Sequence, residues 1–420
     1  MNSPSFRIVG VTLGAAAALT AGIVGDTAAA DPPTAGRAHL WVDTSGGACA
    51  RSSTPAEYAD AAACGSFSAA YSAASGGDTV RVKAGTYAPQ SAGGTKTPMI
   101  DVIGEDGTEV ESGRPTGGLQ GLGLGGNVTV SNVDVGGNEP FVFIGGDNST
   151  WRDSRLLESS DDDSLARGSQ AGSTPEPILI YTDEADPITN AAIVNVVVEP
   201  QHVCTPGQGT CGSGDVYHLE SVRIDQNVDG VLLDRVTFLD GGEDNTALVF
   251  ITFPNPSMPR PRNITIRNSV FGNHGGSYNI DGGGGEACEN WTFAYNTFSK
   301  ERNLGCGAGS SVLWVGNAGP KSPSGVNCTP GTTWTRNVWQ WSSNSANCPS
   351  NTDTWVEGPN FEVAALGLDS SYQLLARSPL IDAGEAPSAS DYCTGALGSA
   401  DRDGDPRPQG AACDAGADER

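Results

Sequence analysis

The chain has 420 residues, of which 57 are glycine, and its 49 acidic against 23 basic side chains give a formal net charge of −26. So much glycine argues against long helices, because each interior glycine costs about 1 kcal/mol relative to alanine. The acidity argues against nucleic acid or an anionic membrane surface as a partner, which leaves neutral ligands, cations, and polyanions reached through a bridging cation.

Residues 1–30 have the three parts of a secretory signal peptide. Arg7 supplies the positive charge, residues 8–25 are apolar and rich in alanine, and residues 28–30 form a small-residue cleavage pattern. We therefore expect a secreted, extracellular protein whose mature chain begins near Asp31. No later stretch approaches 18 consecutive apolar residues, so no membrane span is predicted. We further expect a monomer.

Ten cysteines follow the export signal, as is common in proteins folded in an oxidising compartment. They occur as neighbours along the chain, and clustered Cys-x-x-Cys spacing typical of zinc sites is absent from the sequence. We predict five disulfides between neighbours: Cys49 with Cys64, Cys204 with Cys211, Cys288 with Cys306, Cys328 with Cys348, and Cys393 with Cys413.

An N-terminal cap region is predicted over residues 31–76. Residues 54–57 (TPAE) have the form of a capping box with proline at the first helical position. Phe67, Ala70, Tyr71 and Ala74 then follow the i, i+3, i+4, i+7 spacing of one apolar helical face. We expect a cap helix region over residues 54–75.

One short pattern recurs through the middle of the chain. Two or three alternating apolar residues precede an Asn or Asp, and a second short apolar run follows. The copies are 128–135 (VTVSNVDV), 231–238 (VLLDRVTF), 264–271 (ITIRNSVF), 291–298 (WTFAYNTF) and 334–339 (WTRNVW). Alternation with period two and β-branched or aromatic residues predict strands.

The spacing of these copies favours a solenoid. The closing aromatics Phe238, Phe271, Phe298 and Trp339 are separated by 33, 27 and 41 residues, and Gly, Asn, Pro and Asp fill the gaps where a crossover helix would stand. An antiparallel sandwich would instead show turn signals every 8–12 residues. We therefore predict parallel strands stacked as the coils of a solenoid.

Three segments carry a resemblance to a known group of proteins. Residues 77–87 (GDTVRVKAGTY) resemble a first coil, the Asn-bearing copies resemble the body, and 378–384 (SPLIDAG), 401–410 and 414–416 resemble a closing segment. The chain is similar to secreted right-handed parallel β-helix proteins of the pectate-lyase-like superfold. This resemblance implies an all-β solenoid. It would have an N-terminal cap helix, a right-handed parallel β-helix over 77–375 and an irregular C-terminal capping tail over 376–420. It also implies polysaccharide or a cell-surface glycan as the ligand.

Aligning the closing aromatics brings ionisable residues into one column, because equivalent positions on successive coils lie about 4.8 Å apart. Asp240, Asn273 and Lys300 align two residues past the strand, and His274 follows one position on. The same turns carry Glu243, Asp244 and Arg302. This is the densest ionisable constellation in the chain.

Two chemistries would use this column. Asp240, Glu243 and Asp244 offer hard oxygen ligands for Ca²⁺, with Lys300 or Arg302 as the base of a polysaccharide lyase and His274 nearby. A glycoside hydrolase would instead use two of the carboxylates. The plain alternative is that these are ordinary solvated turn residues.

Two smaller candidates stand outside the column. His218 and Glu220 share one face of a strand predicted over 217–224, as an acid/base pair or a structural pair. Asp401, Asp403 and Asp405 begin like a calcium loop, but Ala412 stands where the twelfth-position glutamate belongs. The residues leave open whether this is a Ca²⁺-dependent lyase, a hydrolase, or a non-catalytic β-helix that binds glycans or surfaces.

Overall fold

The structure is a computed structural model that describes residues 36–420 except 113–120, 138–139, 160–175, 183, 185, 202–219, 242–246, 253–256, 321–330, 342–351, 358–361, 387–390 and 395–399. The predicted signal peptide lies outside the described residues. Every strand pairing within the named strands is parallel, and each complete coil passes over three faces in turn, which we call A, B and C.

Faces A and B form one 19-stranded sheet, and face C forms a separate 8-stranded sheet. The strands of face A are Leu40–Val42, Thr79–Val82, Ile100–Gly104, Val128–Ser131, Arg262–Arg267, Glu289–Ala294, Val312–Val315 and Thr332–Thr335. The strands of face B are Gly85–Tyr87, Thr108–Ser112, Asp134–Gly137, Val270–Phe271, Thr297–Phe298, Ala318–Pro320, Val338–Trp341 and Thr354–Glu357. Three long strands run across both faces: Ser149–Leu156, Ile188–Val198 and Val228–Phe238. Face C contains Gln90–Ala92, Leu122–Leu124, Val142–Ile144, Ile178–Ile180, Val222–Ile224, Ala247–Ile251, Tyr278–Gly282 and Glu301–Leu304. The predicted all-β solenoid of stacked parallel coils is confirmed.

The N-terminal helix is shorter than predicted. It spans Phe67–Ala73, with the Ser66 hydroxyl accepting from the Ala69 N–H as its N-cap, and a 3-10 turn spans Asp60–Ala62. The capping-box segment at 54–57 is not helical; Ala56 instead forms a bridge with Ala38. Strand Leu40–Val42 already pairs with Thr79–Val82, so the sheet begins before the cap helix.

The recurring asparagines of the sequence form two ladders. Inside the turn between faces A and B, Asn296, Asn317 and Asn337 are buried, and each donates its backbone and side-chain amides to the side-chain oxygen of the next coil. The acceptors are, in order, Asn317, Asn337 and Asp353. A second, more exposed ladder lies ahead of face A, where Asn190 donates to Asn148 and Asn148 to Asn127. Residues of the second ladder have positive φ, which Asn tolerates better than most residues.

The predicted alignment of closing aromatics holds for three coils. Phe238, Phe271 and Phe298 pair in register on face B and stack with ring centroids 5.1 and 4.9 Å apart. The step of 41 residues to Trp339 contains a coil that the sequence pattern misses, because Gly319 occupies the aromatic position there.

The described residues after the last strand, 362–386, 391–394 and 400–420, form the C-terminal tail of the structure, which packs along the outer surface of face B. Its apolar residues cover outward-facing strand residues; this cluster contains Val270, Ala318, Val338, Leu366, Leu368, Tyr372, Leu374, Leu380, Ala415 and Ala417. The Ala417 N–H donates to the Thr297 hydroxyl at 2.9 Å. The irregular tail is therefore present, but its contacts run along the flank of the solenoid rather than only across its last coil. It also contains a 3-10 turn, Val363–Leu366, and a helical turn, Asp391–Thr394.

Three of the five predicted disulfides lie among the described residues, and all three join chain neighbours: Cys49–Cys64, Cys288–Cys306 and Cys393–Cys413. The pairs Cys204 with Cys211 and Cys328 with Cys348 fall outside the described residues. No helix in the described part of the chain is long and apolar enough to cross a membrane.

Candidate functional site

The predicted column of ionisable residues is present in part, and its described members hold the turns together. The Asp240 carboxylate accepts from the Asn273 N–H at 2.6 Å and from the Tyr372 hydroxyl of the tail at 2.8 Å. The Lys300 ammonium donates to the backbone carbonyls of His274 and Gly276. These contacts tie neighbouring turns and the tail to one another, which is a structural use of the residues.

His274 is buried, and its Nδ1 accepts from the Gly276 N–H at 3.1 Å, a contact that closes its own turn. Glu243 and Asp244, the other two predicted calcium ligands, lie outside the described residues. Of the three predicted ligands only Asp240 is described, and its Oδ1 accepts the hydrogen bonds from the next turn and from the tail, so the calcium site of the column stays a prediction.

Arg302 does not lie in the column, which corrects the sequence prediction. It belongs to the face C strand Glu301–Leu304 and points into the solenoid, where it is 2% exposed. Its guanidinium lies over Phe298 and 4.3 Å from the ring centroid of Trp339, and it donates to the Pro320 carbonyl. Burial lowers the pKa of Arg302 to about 9, which leaves it charged at neutral pH. A group enclosed in this way cannot meet a polysaccharide as a base.

The second predicted pair is also rearranged. The strand spans Val222–Ile224, so Glu220 precedes it and is buried, and His218 lies outside the described residues. The outward-facing side of this strand carries the half-buried Arg223, which pairs with Glu176 and, at 3.2 Å, with Asp225. Burial opposes the charge of Arg223, but the attraction of Glu176 and Asp225 outweighs it and raises the pKa of the guanidinium.

Arg223 belongs to a row of outward-facing side chains that runs along face C. The strand register places Phe143, Leu179, Arg223, Phe250, Asp281 and Asn303 at equivalent positions of six successive strands. Their neighbours on each strand point inward and are largely buried apolar residues. Face C therefore presents one continuous strip of mixed apolar and polar side chains to the outside.

An open cleft of about 540 Å³ lies at the end of this row. Phe250, Asp281 and Asn303 lie along its floor. Further lining residues are Ile251, Thr252, Met258, Arg260, Gly282, Gly283, Gly284, Glu286 and Gly305. Its volume is in the range of clefts that hold small ligands or several units of a chain.

Asp281 is the central polar group of the cleft. One carboxylate oxygen accepts from the Gly282 N–H at 2.8 Å and from the Asn303 amide at 2.9 Å. Burial raises the pKa of Asp281, and these two hydrogen bonds act in the opposite direction. The result is a half-buried carboxyl with a fixed orientation, which is suited to hydrogen bonding a hydroxyl or to donating a proton.

The rim of the cleft is fixed by an ion pair and a disulfide. The Arg260 guanidinium lies 2.6 Å from the Glu286 carboxylate. Cys288–Cys306 links the segment that follows Glu286 to the segment that follows Gly305. Because Gly283 and Gly285 have φ of +90° and +87°, this rim takes a path that residues with side chains rarely adopt.

One group of carboxylates among the described residues lies close enough to share an ion. Oxygens of Asp401, Asp403 and Asp418, all in the tail, lie within 4.8 Å of one another. Oxygen donors of this kind match the preference of Ca²⁺. Burial, with the nearby charges of Asp401 and Asp403, raises the pKa of Asp418 to about 6.

The sequence analysis did not single out Phe250, Asp281 and Asn303, which line this cleft. Face C strands in this region are short, and the outward residues are 31 and 22 positions apart, with no shared residue type. The available signal was the triplets 249–251 (VFI), 280–282 (IDG) and 302–304 (RNL), each of which follows an A–B repeat.

No family model matches this chain, and none of the curated proteins matches it. The solved structures include a similar one, the crystal structure of pectate lyase Pel9A, which is 15% identical and superposes with a TM-score of 0.58 over 91% of this chain and 96% of that one. The parallel coils and the likeness over nearly the whole of both chains lead to one conclusion: this chain has the right-handed parallel β-helix fold of the pectate-lyase-like superfold, with no specific family resolved.

Proposed function

We propose that this chain is a secreted protein that binds extracellular polysaccharide along face C, with sugar units held in the cleft between Phe250 and Asn303. The observation that carries the proposal is the open cleft itself, in which an aromatic ring lies in the same row as a hydrogen-bonded carboxyl and amide. The likeness to a pectate lyase supports polysaccharide as the ligand class.

The chemistry of the floor suits a sugar ring. An aromatic ring offers a flat apolar surface to the C–H face of a pyranose, while Asp281 and Asn303 offer acceptor and donor atoms for its hydroxyls. Clefts for small ligands combine apolar lining with a few fixed polar groups in this way. The row that continues through Arg223 and Leu179 would extend contact with a longer chain.

Export is part of the proposal. Three disulfides among the described residues are typical of proteins that leave the cytosol, and glycans are found outside the cell. The signal-peptide pattern of residues 1–30 agrees with this assignment.

Hydrolysis is the second candidate function, because two carboxyls line the cleft and burial raises the pKa of one of them. In such a reaction Asp281 would give its proton to the glycosidic oxygen as the bond from that oxygen to the anomeric carbon breaks. Water would add to the anomeric carbon and give its proton to Glu286. Lyase chemistry through Lys300 or Arg302 has less support, since the described contacts of both cations are with backbone carbonyls and aromatic rings.

The test is a panel of neutral and acidic polysaccharides offered to the purified mature protein, with binding followed by affinity electrophoresis and cleavage by reducing ends and ultraviolet absorbance. Each glycan is assayed with Ca²⁺ and with a chelator. Retardation by a glycan without cleavage supports a binding protein, and new reducing ends without ultraviolet absorbance support a hydrolase. Products that absorb ultraviolet light, and that form with Ca²⁺ but not with the chelator, would support a Ca²⁺-dependent lyase. No interaction with any glycan would contradict the proposal.

A further inference from the structure

The charges that line face C indicate which kind of glycan the cleft accepts. Of the ionisable residues that line it, Asp281 and Glu286 are acidic and Arg260 is basic. The one guanidinium is already paired with Glu286 at 2.6 Å. A carboxylate brought into the cleft would therefore meet a carboxyl at the floor and a cation whose charge is already matched.

The next cation along the row is matched in the same way. Arg223 lies two strands from Asp281, roughly 10 Å at the usual strand spacing. It pairs with both Glu176 and Asp225, and the charge of Glu220 also acts on it. Arg223 and Arg260 are thus both paired with acidic side chains of the protein itself.

The whole chain adds a repulsive background. Its formal charge of −26 disfavours the approach of a polyanion, most strongly at low ionic strength. The contacts that the floor offers, an aromatic ring, an amide and a carboxyl, are those that hydroxyl groups and C–H faces use and need no charge on the ligand.

We propose that the face C cleft selects an uncharged glycan chain, although the similar solved structure is a pectate lyase and pectate is a polyanion. This inference rests on the proposed function, because it names the substrate class of the same site. It assigns Phe250 as the stacking surface and the Arg260–Glu286 pair as the element that keeps a carboxylate out.

The experiment compares a neutral glycan from the panel with its carboxymethylated derivative, so that charge alone differs. We expect the neutral chain to bind at least tenfold more tightly than the carboxymethylated chain at low salt. The difference in affinity should shrink at about 0.5 M NaCl, because salt screens the repulsion between the acidic protein and the acidic chain. Phe250→Ala should abolish measurable binding of the neutral chain. Trp355→Ala removes an exposed aromatic from face B and is the matched control, with unchanged binding expected.

Glu286→Gln supplies the second variant, since it leaves Arg260 without the carboxylate that neutralises it. We expect this variant to bind the carboxymethylated chain more tightly than the wild type does. Tighter binding of the acidic chain by the wild type, with or without Ca²⁺, would overturn the inference and leave the proposed function standing. Failure to bind any member of the panel would overturn both.

Discussion

The Asn303 amide donates to the Asp281 carboxylate at 2.9 Å across neighbouring strands of face C. The hydrogen bond fixes both side chains on the floor of the cleft and leaves the second carboxylate oxygen of Asp281 for other partners. Because the strands are parallel and in register, the row of outward side chains continues from this pair to Phe250. The proposed glycan site therefore consists of residues that are far apart in the sequence and adjacent on one face.

Removing either member of this pair should weaken glycan binding. Asp281→Ala deletes an acceptor, and Asn303→Ala deletes the donor that orients it. We expect each variant to lose about 1.4 kcal/mol of binding free energy, which makes the complex tenfold weaker. Isothermal titration with the best glycan of the panel measures the change. Ser91→Ala, at the equivalent position of the first face C strand, is the control. Equal affinities for all four proteins would remove Asp281 and Asn303 from the site.

The aromatic enclosure of Arg302 predicts a stability effect rather than a catalytic one. Arg302→Ala would leave a cavity among Phe298, Trp314 and Trp339 and should destabilise the fold by about 4 kcal/mol. Arg302→Met fills most of the volume without a buried charge, so we expect a loss below about 1.5 kcal/mol. Denaturant midpoints compare the three proteins.

Cleavage activity distinguishes this account from a catalytic role of Arg302. If the wild type cleaves a glycan, Arg302→Met should keep the rate when assayed well below its melting temperature. A folded Arg302→Met protein that has lost all cleavage would contradict the structural assignment.

The coils could be predicted from the sequence because β-branched alternation and the Asn positions report directly on strands and turns. The coil at 312–320 escaped the pattern because Gly319 replaces the aromatic: a Cβ there would lie 2.8 Å from the Cβ of Phe298, and the Arg302 guanidinium lies beside it. The spacing of aromatic residues along the sequence does not predict that Arg302, from face C, lies beside Gly319, where the neighbouring coils of face B have an aromatic ring.

The site was harder to predict because the alignment used face B aromatics, whereas the cleft lies on face C. The column of Asp240, Asn273 and Lys300 is adjacent in space, as the alignment implied. What the alignment could not show is that the tail returns to this column, with Tyr372 bonded to Asp240 across 132 residues of sequence.

The buried asparagine ladder predicts a loss of stability when Asn317, its second member, is removed. Asn317→Ala would leave the amides of Asn296 without their acceptor and should destabilise the protein by about 3 kcal/mol. Asn190→Gly is the control, because it removes one exposed ladder bond at a positive φ that glycine adopts freely. Thermal and denaturant melts measure both. Similar losses of unfolding free energy for the two variants would show that burial does not determine how much a ladder hydrogen bond stabilises the protein.

Asp418 predicts the direction of a pH effect on stability. Its pKa is about 6 in the folded protein against an ordinary value of 3.8, so the folded state holds the proton more tightly than the unfolded chain does. Asp418 therefore makes its full contribution to the free energy of unfolding at low pH. That contribution is lost as the pH rises from the ordinary value of 3.8 through about 6.

Asp418→Asn removes this titration and keeps an oxygen to accept from the Leu374 N–H. With chelator present, we expect the variant to melt higher than the wild type at about pH 8, and the difference to shrink at about pH 5. A variant that melts lower than the wild type at the higher pH would show that the Asp418 charge stabilises the tail.

The central claim is that sugar units bind in the face C cleft, and Phe250 tests it most directly. The measurement is the affinity of wild type, Phe250→Ala and Trp355→Ala for one glycan chosen from the panel, with folding of each checked by its melting curve. We predict wild-type affinity for Trp355→Ala and no measurable binding for a fully folded Phe250→Ala. Undiminished binding by Phe250→Ala would contradict the claim and place the glycan on another surface of the solenoid.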